Sequence, residues 1–338
     1  MMPSYYPAFR CKADKCRHTC CHGWKIPIGR EEYYRLLTAN KSDRISELIA
    51  KTFVAPANPT DQKYREISYN YLGDCPLMED GLCLIHKEMG ADALPGVCDL
   101  YPRSLKRIDE INVAVCSCSC ERVAEILMEE NDLGLRVEEM EGEPVLNFYV
   151  KPELRDELMH FHALLQDRST TRVESLVEIC LEVNGEQFTA DYNTDRNPLS
   201  LALEILDRLV GKNTLLEEIY DKLKARYHDN YFLYEKDRRQ FEKNCPQWMR
   251  IFENVMNNSM LYENFPFVDT RCDRTSAYKG LCATYGLLRF VCIGNTADGF
   301  SNEKLADAIS ALFRLIDHSS FYYNVSIISS GSALLLKL

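Results

Sequence analysis

Apolar residues change their spacing along the chain, and those changes set out its elements. Tyr33, Leu36 and Leu37 share one face of a helix expected over residues 30–40. Ile45, Leu48 and Ile49 repeat the helical spacing after Ser42 and Asp43, a capping pair. Pro56 and Pro59 mark residues 55–61 as a loop, and residues 66–72 hold enough Ile and Tyr for a short strand. Residues 111–120 alternate with period two, which would turn Cys116, Cys118 and Cys120 to one face. Val123, Ile126 and Leu127 then form the stripe of a helix over residues 121–130, and residues 145–150 read as a strand ending before Pro152.

From Glu153 onward the pattern is almost wholly helical. Helices are expected to begin at Leu154, Leu158 and Phe161, and again at Val173, Leu176, Val177 and Cys180. Asp195 or Asn197 with Pro198 opens another, which runs through Leu199, Leu203, Leu206 and Leu209 to Gly211. Thr214 and Glu217 fit a capping box for a helix over residues 215–227. Further helices are expected over residues 237–252, 277–293 and 302–318. The fold class is therefore mainly α. An irregular, cysteine-rich N-terminal region with a few short strands, residues 1–125, is expected to pack on a mostly helical domain, residues 126–338.

Charge and cysteine content reinforce that division. The net charge is −11, yet residues 1–120 balance at +1 and the remainder at −12. An acidic helical half repels phosphate, which argues against nucleic acid as a partner and is compatible with a cationic substrate such as a lysine side chain. Ten of the fifteen cysteines lie in the first 120 residues. The N-terminal residues show no apolar signal segment, and no run reaches the length of a membrane span, so a cytoplasmic protein without a membrane partner is expected. In that reducing compartment a disulfide framework is disfavoured and metal binding leads.

The densest thiols are Cys11, Cys16, Cys20 and Cys21, spaced C-x4-C-x3-C-C and followed by His22. A second block holds Cys75, Cys83 and Cys98 among the turn formers Pro76, Gly81, Pro95 and Gly96, an irregular backbone that metal bonds can hold together. No C-x2-C knuckle of a usual structural zinc site is present. Iron–sulfur clusters accept irregular thiolate spacing, so spacing favours a cluster and leaves zinc as the alternative. Adjacent Cys20 and Cys21 cannot readily point the same way, which leaves one for the site and one for packing. His86 reads as a surface or core histidine, and Cys180, Cys245, Cys272, Cys282 and Cys292 as core residues. The chain has no glycine-rich dinucleotide turn, P-loop, HExxH, G-x-S-x-G or C-x3-C-x2-C motif.

The order C-x4-C-x3-C-C, then C-P-L-x5-C-x-I-H, then P-x-x-C-x-x-Y-P-R resembles the flagellin lysine-N-methylase family and its cysteine-rich zinc- or iron-chelating superfamily. Cys11, Cys16, Cys20, Cys21, Cys75, Pro76, Cys83, His86, Pro95, Cys98, Tyr101, Pro102 and Arg103 carry the resemblance. Cys120 matches a later cysteine that opens a helix, although the proline between it and Glu121 is missing. The resemblance covers about the first 125 residues. It implies methyl transfer from S-adenosylmethionine to lysine ε-amines of flagellin and a [4Fe-4S] cluster held by cysteines. The ligands are then expected among Cys11, Cys16, Cys20, Cys21, Cys75, Cys83, Cys98 and Cys120. The other reading of the same thiols is a non-catalytic zinc- or iron-chelating or cluster-carrying protein. No catalytic base or donor pocket is legible.

Overall fold

In the computed structural model of the chain, residues 1–22, 26–71, 73–108, 111–136, 146–148, 153–211, 214–228, 230–268 and 271–338 are described. They form two compact units, Arg10–Pro102, and Met1–Phe9 with Arg103–Leu338. The unit crossings fall at residues 9/10 and 102/103, whereas the sequence pattern suggested a change near residue 125. The N-terminal strand explains part of the difference. Met2–Pro3 pairs antiparallel with Leu135–Arg136, and the amide of Ala114 donates to the Met1 carbonyl at 2.9 Å, which ties the first residues to the helical unit.

The Arg10–Pro102 unit is built from short pieces. Arg65–Ile67 is the middle strand of a three-stranded antiparallel sheet, flanked by Pro27–Ile28 and Phe53–Val54. Helix Arg30–Thr38 starts after Gly29, whose amide donates to Glu32 Oε2 at 2.8 Å. Helix Asp43–Thr52 starts after Ser42, whose hydroxyl accepts from the Ile45 amide at 3.3 Å, a cap worth about 1 kcal/mol. Met78–Glu79 and Leu82–Cys83 form a tight hairpin that runs directly into helix Leu84–Met89. Ile28, Leu36, Ile45, Ile49, Leu77 and Ile85 make the apolar core, and Cys75 is part of it.

The larger unit is helical. Strand Arg103–Ile108 lies between Ile111–Cys116, antiparallel, and Leu146–Phe148, parallel. Helix Arg274–Thr296 is buried around nearly its whole circumference, and helices Arg172–Tyr192, Asn302–Ile316 and Phe321–Ile328 pack on it with the 3-10 segment Ser332–Lys337. Its polarity pattern is that of a core helix rather than a surface one. Gly280 and Gly286 are required there by close approach. A Cβ on Gly280 would enter the Tyr322 ring, and one on Gly286 would meet the Leu335 backbone and Cβ. No helix among the described residues is long and apolar enough to cross a membrane.

Three expected elements differ from those observed, the first being the strand expected over residues 66–72, which spans only Arg65–Ile67. The helix expected over residues 237–252 is two helices, Tyr231–Asn244 and Trp248–Glu263, because Pro246 removes a donor and disfavours the helical conformation at Cys245. The strand expected over residues 111–120 stops at Cys116, and residues 117–119 turn, with the Cys120 amide donating to the Ser117 carbonyl at 3.3 Å. Thr214 as a side-chain cap, and the strand flanks at residues 145 and 149–150, lie outside the described residues. Cys180, Cys245, Cys282 and Cys292 are buried in the helical core, as expected for small apolar side chains.

Candidate metal centre

In the Arg10–Pro102 unit the chain returns three times to one place. The backbone bridge between His22 and Asp74 fixes the first return, and the His22 Nδ1···Asp74 Oδ1 contact at 2.9 Å reinforces it. Next to that bridge the Cys75 amide donates to the Cys21 carbonyl at 3.1 Å. The hairpin then brings Cys83 back, since Met78 and Cys83 are cross-strand partners. Pro95 opens the one-turn helix Gly96–Leu100 that carries Cys98, and the Gly96 amide is held by Glu32 Oε1 at 2.7 Å.

The result is a neighbourhood of four thiols, Cys20, Cys75, Cys83 and Cys98. Burial pushes the Cys98 thiol far up, and the nearby charges of Cys83, Cys75 and Cys20 add to the effect. Cys75 is pushed up to about 11, chiefly by burial, against a backbone N–H from Leu77 that favours its thiolate. Burial also raises Cys83, opposed by the amides of His86 and Ile85. Backbone N–H groups aimed at sulfur are what a metal-bound thiolate uses to spread its charge.

Cys75, Cys83 and Cys98, buried or half-buried and with no cation among their dominant electrostatic neighbours, form a poor set of thiolates on their own. A metal would supply the missing positive charge, and the donor chemistry fits either an iron–sulfur cluster or tetrahedral zinc. Tyr69 adds a second indication. Among the described residues its buried hydroxyl has no hydrogen-bond partner, and it faces Cys75, Cys21, Cys98 and Cys20. Such an orphaned donor beside sulfurs suits a cluster sulfide or a bound thiolate. Among the described residues no three His, Cys, Asp or Glu side chains close into a ready-made ion cage.

The other expected ligands are placed as follows. Cys21 packs against the apolar core, as Cys83 and Cys98 also do, and stands with Cys20 among the thiols around Tyr69. Cys11 is exposed and its sulfur accepts from the Ala13 amide at 3.3 Å; Cys16 follows the Ala13–Lys15 turn and is half-buried. His86 is exposed. Cys120 belongs to the other unit, where it precedes helix Glu121–Glu129 and neighbours Cys116 and Cys118. Asn258 Nδ2 donates to the Cys118 sulfur at 3.1 Å and to the Cys116 carbonyl at 2.9 Å, and Tyr5 donates to Asn258 Oδ1 at 2.5 Å. Cys116 and Cys118 are therefore embedded in the helical core. Tyr69 carries no motif signal and was not among the expected site residues.

The fold is that of a mainly helical protein with a separate unit of short elements that carries seven of the cysteines. Residues 156–327, about half of the chain, match the model of the FliB lysine N-methylase C-terminal domain, and the chain belongs to that family. It is 32% identical over 104 residues to a lysine-N-methylase of Salmonella typhimurium and to one of Salmonella choleraesuis, matches that cover 30% of this chain and 25% of each relative. It is 31% identical over 104 residues to the flagellar biosynthetic protein FliU of Salmonella muenchen, covering 30% of this chain and 60% of that one. The match thus spans about a quarter of the length of the lysine-N-methylases. No solved structure matches.

Proposed function

We propose that the protein is a protein lysine N-methyltransferase that moves methyl groups from S-adenosylmethionine to lysine ε-amines of flagellin. Membership of the FliB lysine N-methylase family carries the reading, and the relatives' names, lysine-N-methylase and flagellar biosynthetic protein, point to the same reaction and setting. The acidic character of the helical part is compatible with a cationic lysine substrate.

Cys20, Cys75, Cys83 and Cys98 are the residues that would hold a [4Fe-4S] cluster, with Tyr69 as a hydrogen-bond donor to its sulfurs. When bound, such a group supplies metal–sulfur cross-links to a unit whose own elements are short. Methyl transfer itself needs a neutral amine. The protein therefore has to bind the lysine away from water and remove its proton before the nitrogen attacks the methyl carbon.

Methyl transfer from labelled S-adenosylmethionine to purified flagellin tests the reading. Label is expected on lysine, and a metal-replete sample that leaves lysine unlabelled would overturn it. Iron, acid-labile sulfide and zinc analysis of anaerobically purified protein separates a cluster from zinc.

A further inference from the structure

Helix Tyr231–Asn244 lies on the core through Tyr234, Asp237 and Phe241 and leaves its opposite face in solvent. All three of its carboxylates are engaged by other side chains. Arg238 grips Glu235 through Nε at 3.0 Å and Nη2 at 2.8 Å, and reaches Glu242 at 2.9 Å. Asp237 accepts from Arg226 at 2.6 and 3.1 Å and from the Tyr227 hydroxyl at 2.9 Å. The other cations of the helix, Lys236, Arg239 and Lys243, are exposed and have no ion-pair partner among the described residues.

Those three cations stand in line with Phe232, at positions i, i+4, i+7 and i+11, which share one helix face. Phe232 is 83% exposed, and Tyr231 beside it is 39% exposed, with its ring centroid 6.2 Å from that of Tyr234. A shallow groove of about 510 Å³ follows the face, with Glu235 and Gln240 between the cations. A merely solvated face mixes both signs of charge and carries no bare aromatic pair. Here the carboxylates are already taken up by internal pairing, and the stripe is positive although residues 121–338 carry −12. Aromatic rings beside a guanidinium are what the centre of a protein interface uses.

We propose that this face docks an acidic amphipathic helix of the protein substrate, with carboxylates on Lys236, Arg239 and Lys243 and an apolar side chain over Phe232 and Tyr231. The proposal rests on the methyltransferase reading above, which supplies the protein partner. Charge complementarity selects an acidic segment. The 4-3-4 spacing selects a helical one, since two helices packed side by side meet at that repeat. The four positions span about 16 Å of helix axis, which matches three turns of a partner. The same length disfavours a longer polyanion. A nucleic acid or an anionic membrane would extend beyond the stripe over a part of the chain that is otherwise strongly negative, and charges within a Debye length of about 10 Å would repel it. A second copy of this chain brings a net −11 of its own, so long-range repulsion opposes self-association through one narrow stripe.

Binding of purified flagellin, read by surface plasmon resonance without the methyl donor, and steady-state methylation of flagellin test the assignment, with circular dichroism confirming the fold of each variant. The triple variant Lys236→Glu, Arg239→Glu, Lys243→Glu is expected to raise Kd and KM about 10-fold to 100-fold and to keep kcat within about twofold. Phe232→Ser should raise both about threefold to tenfold, again at constant kcat. Raising salt from about 50 to about 300 mM should weaken wild-type binding and leave the triple variant nearly unchanged. A synthetic helical peptide with glutamates at the 3–4 spacing and one leucine should compete with flagellin, whereas its lysine counterpart should not. Unchanged Kd and KM in the folded triple variant overturn the docking site alone, and an acidic peptide without effect overturns the acidic-helix occupant. Co-sedimentation with phosphatidylglycerol vesicles, or a dimer in analytical ultracentrifugation, that the triple variant loses would assign the face to a membrane or to a second copy and overturn the proposal. Flagellin that binds at this face and is not methylated overturns the methyltransferase reading and leaves the docking face standing.

Discussion

The Tyr69 hydroxyl lies near the Cys98 thiol inside the Arg10–Pro102 unit, the phenol buried without a hydrogen-bond partner among the described residues and both groups pushed up in pKa by burial. Among the described residues no hydrogen bond is lost when that hydroxyl is removed. Tyr69→Phe should therefore leave the thermal stability of metal-free protein unchanged or slightly higher, within about 1 kcal/mol. In metal-loaded protein the same change removes a donor to sulfur, and the reduction potential of a bound cluster should fall. Calorimetry and a redox titration check the two halves; a large loss of stability in metal-free protein would show that the hydroxyl has a partner after all.

The ligand assignment separates cysteines that the spacing alone could not. Replacing Cys20, Cys75, Cys83 or Cys98 by alanine should each remove most of the bound metal, whereas Cys11→Ala, at an exposed position, should retain it. Metal analysis of the five variants, purified anaerobically, decides the matter. The Cys120→Ala variant belongs in the same series because the family resemblance includes that cysteine. Metal loss there would enlarge the ligand set beyond the four neighbouring thiols.

Much of the helical unit is legible in its polarity pattern, because helices such as Pro198–Leu209 bury one face, with Leu199, Ala202, Ile205 and Leu206, and are capped locally by Asn197. Helix Asp43–Thr52 is legible for the same reason at Ser42. The pattern fails at Pro246, where apolar periodicity continues across a break in the backbone, and at Ser117, where alternation continues past the end of the strand. Of the metal centre, the cysteine blocks can be read but their partition cannot. Cys20 and Cys21 differ only in which way the folded backbone turns each side chain. Asp317 and Ser117, which share a hydrogen bond, were invisible as a pair, since a contact across two hundred residues leaves no local period.

Glu253 ties two helices through a buried ion pair. Its carboxylate meets Arg172 at 3.0 Å and Arg168 at 3.2 Å, and Arg172 and Glu253 are both buried. Replacing Glu253 by alanine leaves the Arg172 guanidinium buried without its counter-charge, which costs about 3–5 kcal/mol. Chemical denaturation should show that loss, whereas Arg208→Ala, which removes an exposed contact to Glu204 at 2.9 Å, should cost no more than about 1 kcal/mol. Equal effects would contradict the burial argument.

His162, on helix Glu153–Gln166, gives a pH dependence with a definite sign. It is buried beside Asn257, and burial lowers its pKa from 6.5 to about 4 against the small upward pull of Asn257 and Asp132. In the unfolded chain the imidazole takes a proton near pH 6.5, while the folded chain resists until about pH 4. The unfolded state therefore binds more protons between those values, and stability falls as pH drops through that window. A shift of this size corresponds to at most about 3 kcal/mol, all of it retained above pH 6.5. Asp317, raised to about 7, pulls the other way, so only the difference between wild type and His162→Gln isolates the effect. Urea unfolding at pH 7.5 and pH 5 should show the wild type losing more stability on acidification than the variant. Parallel losses in the two proteins would mean that His162 is already charged in the fold, or free to reach water.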